Sequence, residues 1–401
     1  MNTAPVTNTS VSVGEKVRLP WAALLVMSLT AFALITTETM PAGLLSQIAA
    51  GMDVSEGTAG QYVSAYALGT VIFAIPIVSI TRGVRRKRLL LLGLLAFLIV
   101  NTITALTSSI VLALSMRFIA GIFSGLLWGM LAGYARRITT KDLAGRALAV
   151  ASIGTPIGLA LGTPLGSWLG TTFDWRWAFG ALSILVVVTM GLVAILVPDA
   201  PGQHAETHKP IHFVLRLPGV GMILAVVVVW MLAHNTLYTY FSVYLRDAGI
   251  AMGVDVAFVI FGISALVGIG ITGALIDRAI RPLIIASVAL FVIASVIFLV
   301  GHDSETAVII AIVLWGVAYG GAAPQLQTAM SEATGHNADV GNAVLGVAFN
   351  LAIFSAGVLG ALLISGGGLL LPVVIIGLTT AALVIAIVAP RASFRNHRVS
   401  H

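Results

Sequence analysis

The chain contains no cysteine, and only 9% of its 401 residues are charged. The missing thiols rule out disulfides, cysteine nucleophiles and thiolate-ligated metals. The scarcity of charge excludes more. A soluble domain is about a quarter charged, because its water-facing surface has to be dressed in ionic groups. Disordered chains, coiled coils and disulfide scaffolds fail on the same count. What is present instead is an apolar fraction of 59% and 42 glycines. This is the composition of a polytopic membrane protein. A net charge of +6 would suggest nucleic acid in a soluble protein, but here the basic residues lie in short loops between apolar runs. They read as topogenic charge, with no nucleic-acid partner.

A hydrocarbon core about 30 Å thick needs about 20 apolar residues per helix. That window gives twelve spans, at 21–44, 58–81, 89–107, 109–134, 146–170, 178–198, 218–244, 254–276, 282–300, 306–330, 341–365 and 369–389. The polar N-terminal segment shows no cleavable signal pattern, so the first span is expected to stay as an anchor. Of the 21 Lys and Arg, all but Arg117, Arg176 and Arg246 fall on one side, which places both termini in the cytoplasm. The expected organisation is all-α, with a tail (1–20), six helices (21–198), a cytoplasmic loop (199–217), six helices (218–389) and a tail (390–401). His204, His208 and His212 in the loop are spaced by four, as metal ligands on a helix face would be. Pro210 interrupts that helix, and the loop reads as a solvated linker without metal. A short internal repeat supports the division: Asp277-Arg278-Ala-Ile-Arg281 matches Thr81-Arg82-Gly-Val-Arg85 at an offset of 196 residues. Duplicated halves are a transporter design.

Ionisable residues inside spans are costly in hydrocarbon and therefore informative. Glu38, in Thr36-Thr37-Glu38, lies towards the outer end of the first span, and Arg117 lies within the fourth. At 1.5 Å per residue both fall in the outer half of the membrane, at depths about 8 Å apart. An acid partly desolvated near a cation is poised for proton exchange. The plainer alternatives are an interfacial carboxylate for Glu38 and, for Arg117, a clamp on backbone carbonyls of neighbouring helices. His234, the single histidine within a span, shares a helix face with Tyr238 and adjoins Asn235. With Trp128, Gln325, Gln327 and Asn350 these residues read either as a cargo-binding wall or as polar packing seams. In the fifth span Gly154, Gly158, Gly162, Gly166 and Gly170 recur every four residues, with Pro156 and Pro164 between them. The stripe allows close helix approach, and the prolines invite bending, so the helix is built either for packing alone or to slide and flex.

At these residues the chain resembles the major facilitator superfamily, specifically its drug:proton antiporter branch and the sugar-efflux or arabinose-efflux-like subgroup. Thr36-Thr37-Glu38 is similar to the start of that subgroup, and Arg117-Phe-Ile-Ala-Gly121 to the fourth-span motif associated with proton coupling. Gly158 through Gly162-Thr163-Pro164-Leu165-Gly166 resembles the fifth-span antiporter motif, with Thr163 inserted where the family usually has Gly-Pro adjacent. Trp175-Arg176-Trp177-Ala-Phe179 is similar to the start of the sixth span. After the second span the family expects a glycine and an acid where Ile77 and Thr81 stand. Arg82, Arg85 and Arg86 remain, and Asp277-Arg278 keeps the acid–base pair in the second half.

The resemblance implies the major facilitator fold, with two six-helix bundles rocking about a midplane cavity. It implies a monomeric bacterial inner-membrane exporter of sugars, drugs or similar small solutes, driven by the proton gradient without a cofactor. Glu38 and Arg117 would carry proton coupling. Cargo would sit among spans one, four, seven, ten and eleven, against Thr36, Thr37, Trp128, His234, Asn235, Tyr238, Gln325, Gln327 and Asn350. Gating would fall to Arg82, Arg85, Arg86, Gly158, Gly162, Pro164, Gly166, Asp277 and Arg278. An uncoupled facilitator or importer is the alternative. A membrane enzyme lacks support, since catalysis needs a nucleophile with a base, or a metal cluster, within the spans.

Overall fold

A computed structural model describes residues 19–202, 211–389 and 393–394. His204, His208, Pro210, Lys209 and most of the two tails lie outside the described residues. The apolar runs become helices at Trp21–Gly43, Glu56–Ile80, Arg86–Leu106, Ile110–Arg137, Ala144–Thr172, Trp175–Leu196, Val220–Thr239, Val254–Val300, Glu305–Ile364 and Leu370–Val388. Two of these ten are too long for one crossing. At 1.5 Å per residue, the 47 residues of Val254–Val300 would extend about 70 Å, over twice the hydrocarbon thickness. The backbone itself divides this helix, since Ala279 leaves helical geometry (φ −145°, ψ 40°) ahead of Pro282. The Glu305–Ile364 stretch breaks at Gly335, whose φ is +52°. It yields the tenth span, Glu305–Gly320 with Ala322–Thr334, and the eleventh, Ala338–Ile364. The fold is therefore all-helical and twelve-spanning, in two six-helix bundles.

Even-numbered spans start on the face opposite the one where Trp21 and Val388 lie; we call it the far face. Four of these starts are fixed by side-chain caps, that of the fourth span by Ser109, which accepts from Leu112 N at 3.4 Å. Ser55 accepts from Thr58 N at 3.1 Å, Asp174 from Arg176 N at 2.8 Å and Ser304 from Ala307 N at 3.4 Å. Each cap satisfies a backbone N–H that the helix cannot pair internally. Lipid-facing positions stay apolar and exposed, as at Leu106, Ile184, Ile195 and Leu362, because hydrocarbon surrounds them where water would surround a soluble protein.

The first and fifth spans run parallel in a constant register. A side-chain carbon at Gly154 would meet Ser28, one at Gly158 would meet Phe32, Ile35 and Thr36, and those at Gly162, Gly166 and Gly170 would meet Thr36, Met40 and Leu44. Both helices present positions four apart, so the glycine stripe is a groove and the first span fills it. A straight α-helix rotates such a stripe steadily away from its neighbour. Here Gly158–Gly162 forms a π turn, which winds less per residue and returns the later glycines to the contact face. A π turn accommodates one extra residue in a helix, and Thr163 stands immediately after it.

The repeat is visible in the backbone as well as in sequence. The first span ends at Leu44 (φ −114°, ψ 9°) and the seventh at Tyr240 (φ −110°, ψ 21°), each followed by a short helix. These positions are 196 residues apart, the offset seen in the sequence. Ser46 and Ser242 share that separation and lie 3.5 Å apart, oxygen to oxygen. Two copies of one position can touch only at the axis that relates the halves.

Candidate functional site

Two groups of polar and aromatic residues face one another between the halves. In the first half, Arg117 is fully buried. Its Nη1 donates to Thr37 O at 2.7 Å, its Nη2 to Glu38 O at 3.4 Å and its Nε to Tyr62 O at 3.1 Å. The guanidinium also lies 4.7 Å from the centroid of the Tyr66 ring. The long side chain closes the expected difference in depth, bringing the cation level with Glu38. The Glu38 carboxylate forms no ion pair with Arg117 within 4 Å; it is half-buried and within electrostatic reach of Arg117, Tyr66 and Tyr319. The buried Tyr66 hydroxyl stands beside the carboxylate as a weak donor to it, with no hydrogen bond within 3.5 Å to a described residue.

In the second half His234 is buried, and its Nδ1 accepts from the Trp315 indole N–H at 3.0 Å. An indole can only donate, so this bond requires a lone pair on Nδ1 and places the ring proton on Nε2. The imidazole lies flat on Tyr319 at 3.5 Å and near Tyr238, which stacks on Phe258 at 4.4 Å. Thr163 bonds Thr39 at 2.8 Å, so the inserted residue of the fifth span anchors the residue next to Glu38.

The other expected cargo residues scatter. Thr36 packs on Gly162 with its hydroxyl unpaired, and Thr37 accepts from Asn101 at 3.5 Å. Asn235 and Asn350 donate within their own helices, to Met231 O and Gly346 O. Gln325 joins three helices of the second half, donating to Thr272 and Ser287 at 2.9 and 3.1 Å. Gln327 is exposed, and Trp128 packs in the core of the first half. Tyr62, Tyr66, Trp315 and Tyr319 were not anticipated; aromatic residues in an apolar chain carry no distinguishing signal until the fold assembles them.

On the far face the halves are joined by hydrogen bonds. Glu56 Oε1 accepts from Ser46 at 2.7 Å and from Arg246 Nη1 at 2.6 Å. Arg246 also bonds Asp247, whose other oxygen accepts from Gly368 N at 2.7 Å. The bond to Glu56 leads in holding the Arg246 guanidinium above its ordinary pKa, against burial. On the terminus-bearing face, Arg85 bonds Asp199, and Lys87 donates its backbone N–H to the same carboxylate. Burial pushes the Asp199 carboxyl up, but the bonds from Arg85, Lys87 and Ala200 outweigh it and leave it below the usual carboxylate range. An acid thus meets Arg85 from the end of the sixth span, where Thr81 supplies none. Arg86 donates to Arg82 O at 2.9 Å. Asp277 and Arg278 are exposed, with no ion pair within 4 Å among the described residues. Pro164 and Gly166 lie in the helix after the π turn. Among the described residues no cluster of His, Asp and Glu could hold a metal.

The profile of the Major Facilitator Superfamily matches residues 27–357. Among solved structures, the fold superposes on a variant of the nucleoside transporter NupG with a TM-score of 0.74 at 10% identity, covering 92% of this chain and 99% of that one. It superposes on the human organic anion transporter MFSD10 (TETRAN) with a TM-score of 0.69 at 14% identity and the same two coverages.

Proposed function

The chain belongs to the Major Facilitator Superfamily of secondary transporters, and on that premise we propose that it exports small organic solutes in exchange for protons by alternating access. The drug:proton antiporter branch, with its sugar-efflux-like subgroup, is the closest fit to its motifs. The observation that carries this reading is the unpaired Glu38 carboxylate between the halves, beside an Arg117 whose donors are taken up by backbone carbonyls. A cation held in that way sets a fixed local potential without neutralising the acid, so Glu38 is free to gain and lose a proton as its surroundings change. The far-face bonds at Glu56 and Arg246 support an exchange between two closures, because they must break for that side to open. The charge asymmetry of the loops supports cytoplasmic termini and an inner-membrane setting. A monomer suffices, and the proton gradient stands in place of any cofactor.

The test uses the purified protein in vesicles loaded with pyranine, a pH-sensitive dye, and a panel of sugars and drugs added under an imposed pH gradient. Solute-dependent proton movement is expected from the native chain and none from Glu38→Gln. Equal proton movement in the two would overturn the coupling role, and solute flux indifferent to the gradient would identify an uncoupled facilitator.

A further inference from the structure

A stack of rings runs through the second half and ends at a half-buried tyrosine. Phe258 lies on Tyr238 at 4.4 Å, Tyr238 lies 5.5 Å from His234, and His234 lies on Tyr319 at 3.5 Å with planes 8° apart. The first three are buried, whereas Tyr319 is half-buried. Among the described residues only His234 and Phe261 bring rings to Tyr319, and Phe261 is tilted and 5.8 Å away. One face of the terminal ring is therefore without an aromatic neighbour.

Polar groups converge on the same place. The Tyr319 hydroxyl makes no hydrogen bond with any described residue. Glu38, reaching across from the first half, is within electrostatic range of Tyr319 and stands beside the buried Tyr66 hydroxyl. The carboxylate can only accept while ionised, and a hydroxyl can donate. A ligand matching the position must offer a flat face to Tyr319 and a donor to Glu38.

We propose that the cargo carries a planar heteroaromatic ring bearing an N–H donor, which continues the stack on the face of Tyr319 turned away from His234 and donates to Glu38. Offset stacking on a fixed ring rewards planarity and tolerates variation in the ring's identity, while the carboxylate selects for the donor. His234, held by Trp315 and pressed against the far side of Tyr319, keeps the platform flat. This proposal rests on the chain being a transporter of small organic solutes and does not depend on proton coupling.

The test measures binding to the full-length protein in nanodiscs by equilibrium dialysis. The probes are benzimidazole, which has a flat ring, one N–H and one acceptor nitrogen; 1-methylbenzimidazole, which lacks the donor; and the non-planar cyclohexanol and glucose. Benzimidazole is expected to bind at least tenfold more tightly than either non-planar probe and more tightly than its methylated form. Tyr319→Phe should bind it within threefold of the native chain. Tyr319→Leu should bind it at least tenfold more weakly, a factor worth 1.4 kcal/mol. Thermal unfolding of both variants in the same discs shows that the loss is not misfolding; if the leucine variant does not fold, the preference for benzimidazole over the other three probes decides alone. Absent benzimidazole binding, binding equal to cyclohexanol or glucose, or a folded leucine variant that binds as the native chain does would each overturn the proposal. Loss of gradient-driven flux with ring binding intact removes the coupling reading and leaves this site. Loss of ring selectivity with gradient-driven flux intact does the reverse.

Discussion

Placing one methyl group in the seam between the first and fifth spans measures how closely these helices pack. At Gly162 an added Cβ meets the Oγ1, Cγ2 and Cβ of Thr36, the last at 2.9 Å. Thr36 is itself buried at 4% exposure and so has no open space to move into. At Gly191 in the sixth span an added Cβ meets nothing within 4 Å. Replacing either glycine with alanine gains the same helix propensity, about 1 kcal/mol. The difference between the two variants therefore isolates the steric term, which for overpacking is about 1–3 kcal/mol. In a six-helix unit of this size each kcal/mol moves the midpoint by about 2–4 °C. Gly162→Ala should then unfold several degrees below Gly191→Ala, measured in one detergent at one scan rate because such unfolding is often irreversible. Adding Thr36→Ala removes two of the three opposing atoms and should recover part of the loss, giving a favourable coupling in the double-mutant cycle. Gly162→Ala as stable as Gly191→Ala, or no coupling to Thr36, would refute the constant-register packing and the role assigned to the π turn.

Three further outcomes follow from the same geometry. Because the chain has no cysteine of its own, Ser46→Cys with Ser242→Cys, whose oxygens lie 3.5 Å apart, should crosslink under mild oxidation and stop transport until reduced; full transport by the crosslinked protein would defeat alternating access. Arg117→Lys keeps the charge but not the fork that reaches Thr37, Glu38 and Tyr62. With bonds to charged groups worth about 1.5–3 kcal/mol each, it should lower the unfolding midpoint markedly, and an unchanged midpoint would show the carbonyl clamp to be unimportant. Asp199, whose pKa is lowered on folding, contributes its tether above the ordinary carboxylate pKa of about 3.9 and loses it as pH falls through the lower folded value. Hydrogen exchange at Lys87 and Ala200 should accelerate only in that acid range, and in Asp199→Ala, which removes the acceptor, it should be fast throughout.

Much of the architecture is legible in the residues because the membrane imposes a length on every helix. The spans appear as apolar windows, and the two helical runs too long for one crossing, through Ala279 and through Gly335, are still divided by the arithmetic of rise per residue. The close approach of the first and fifth spans is encoded as two matching four-residue series, one of glycines and one running Ser28, Phe32, Thr36, Met40 and Leu44. Only the first of these stands out, since mixed side chains have no visible period. The partners of Arg117 are backbone carbonyls, which carry no sequence signal, and the far-face pair of Glu56 and Arg246 joins residues 190 apart.

The repeat offset connects what remains. Leu44 and Tyr240 end equivalent helices 196 residues apart, and counting back equally from each arrives at Glu38 and His234. This repeated position thus carries a carboxylate in one half and an imidazole in the other, with its Nδ1 lone pair occupied by Trp315. A second proton on that imidazole would have to displace the indole and disturb the ring stack around it, whereas Glu38 has no ion pair to break. Equivalent positions have therefore diverged in chemistry: the first half carries the carboxylate to which the proposed mechanism assigns the proton, and the second half carries the ring stack on which the proposed cargo would rest.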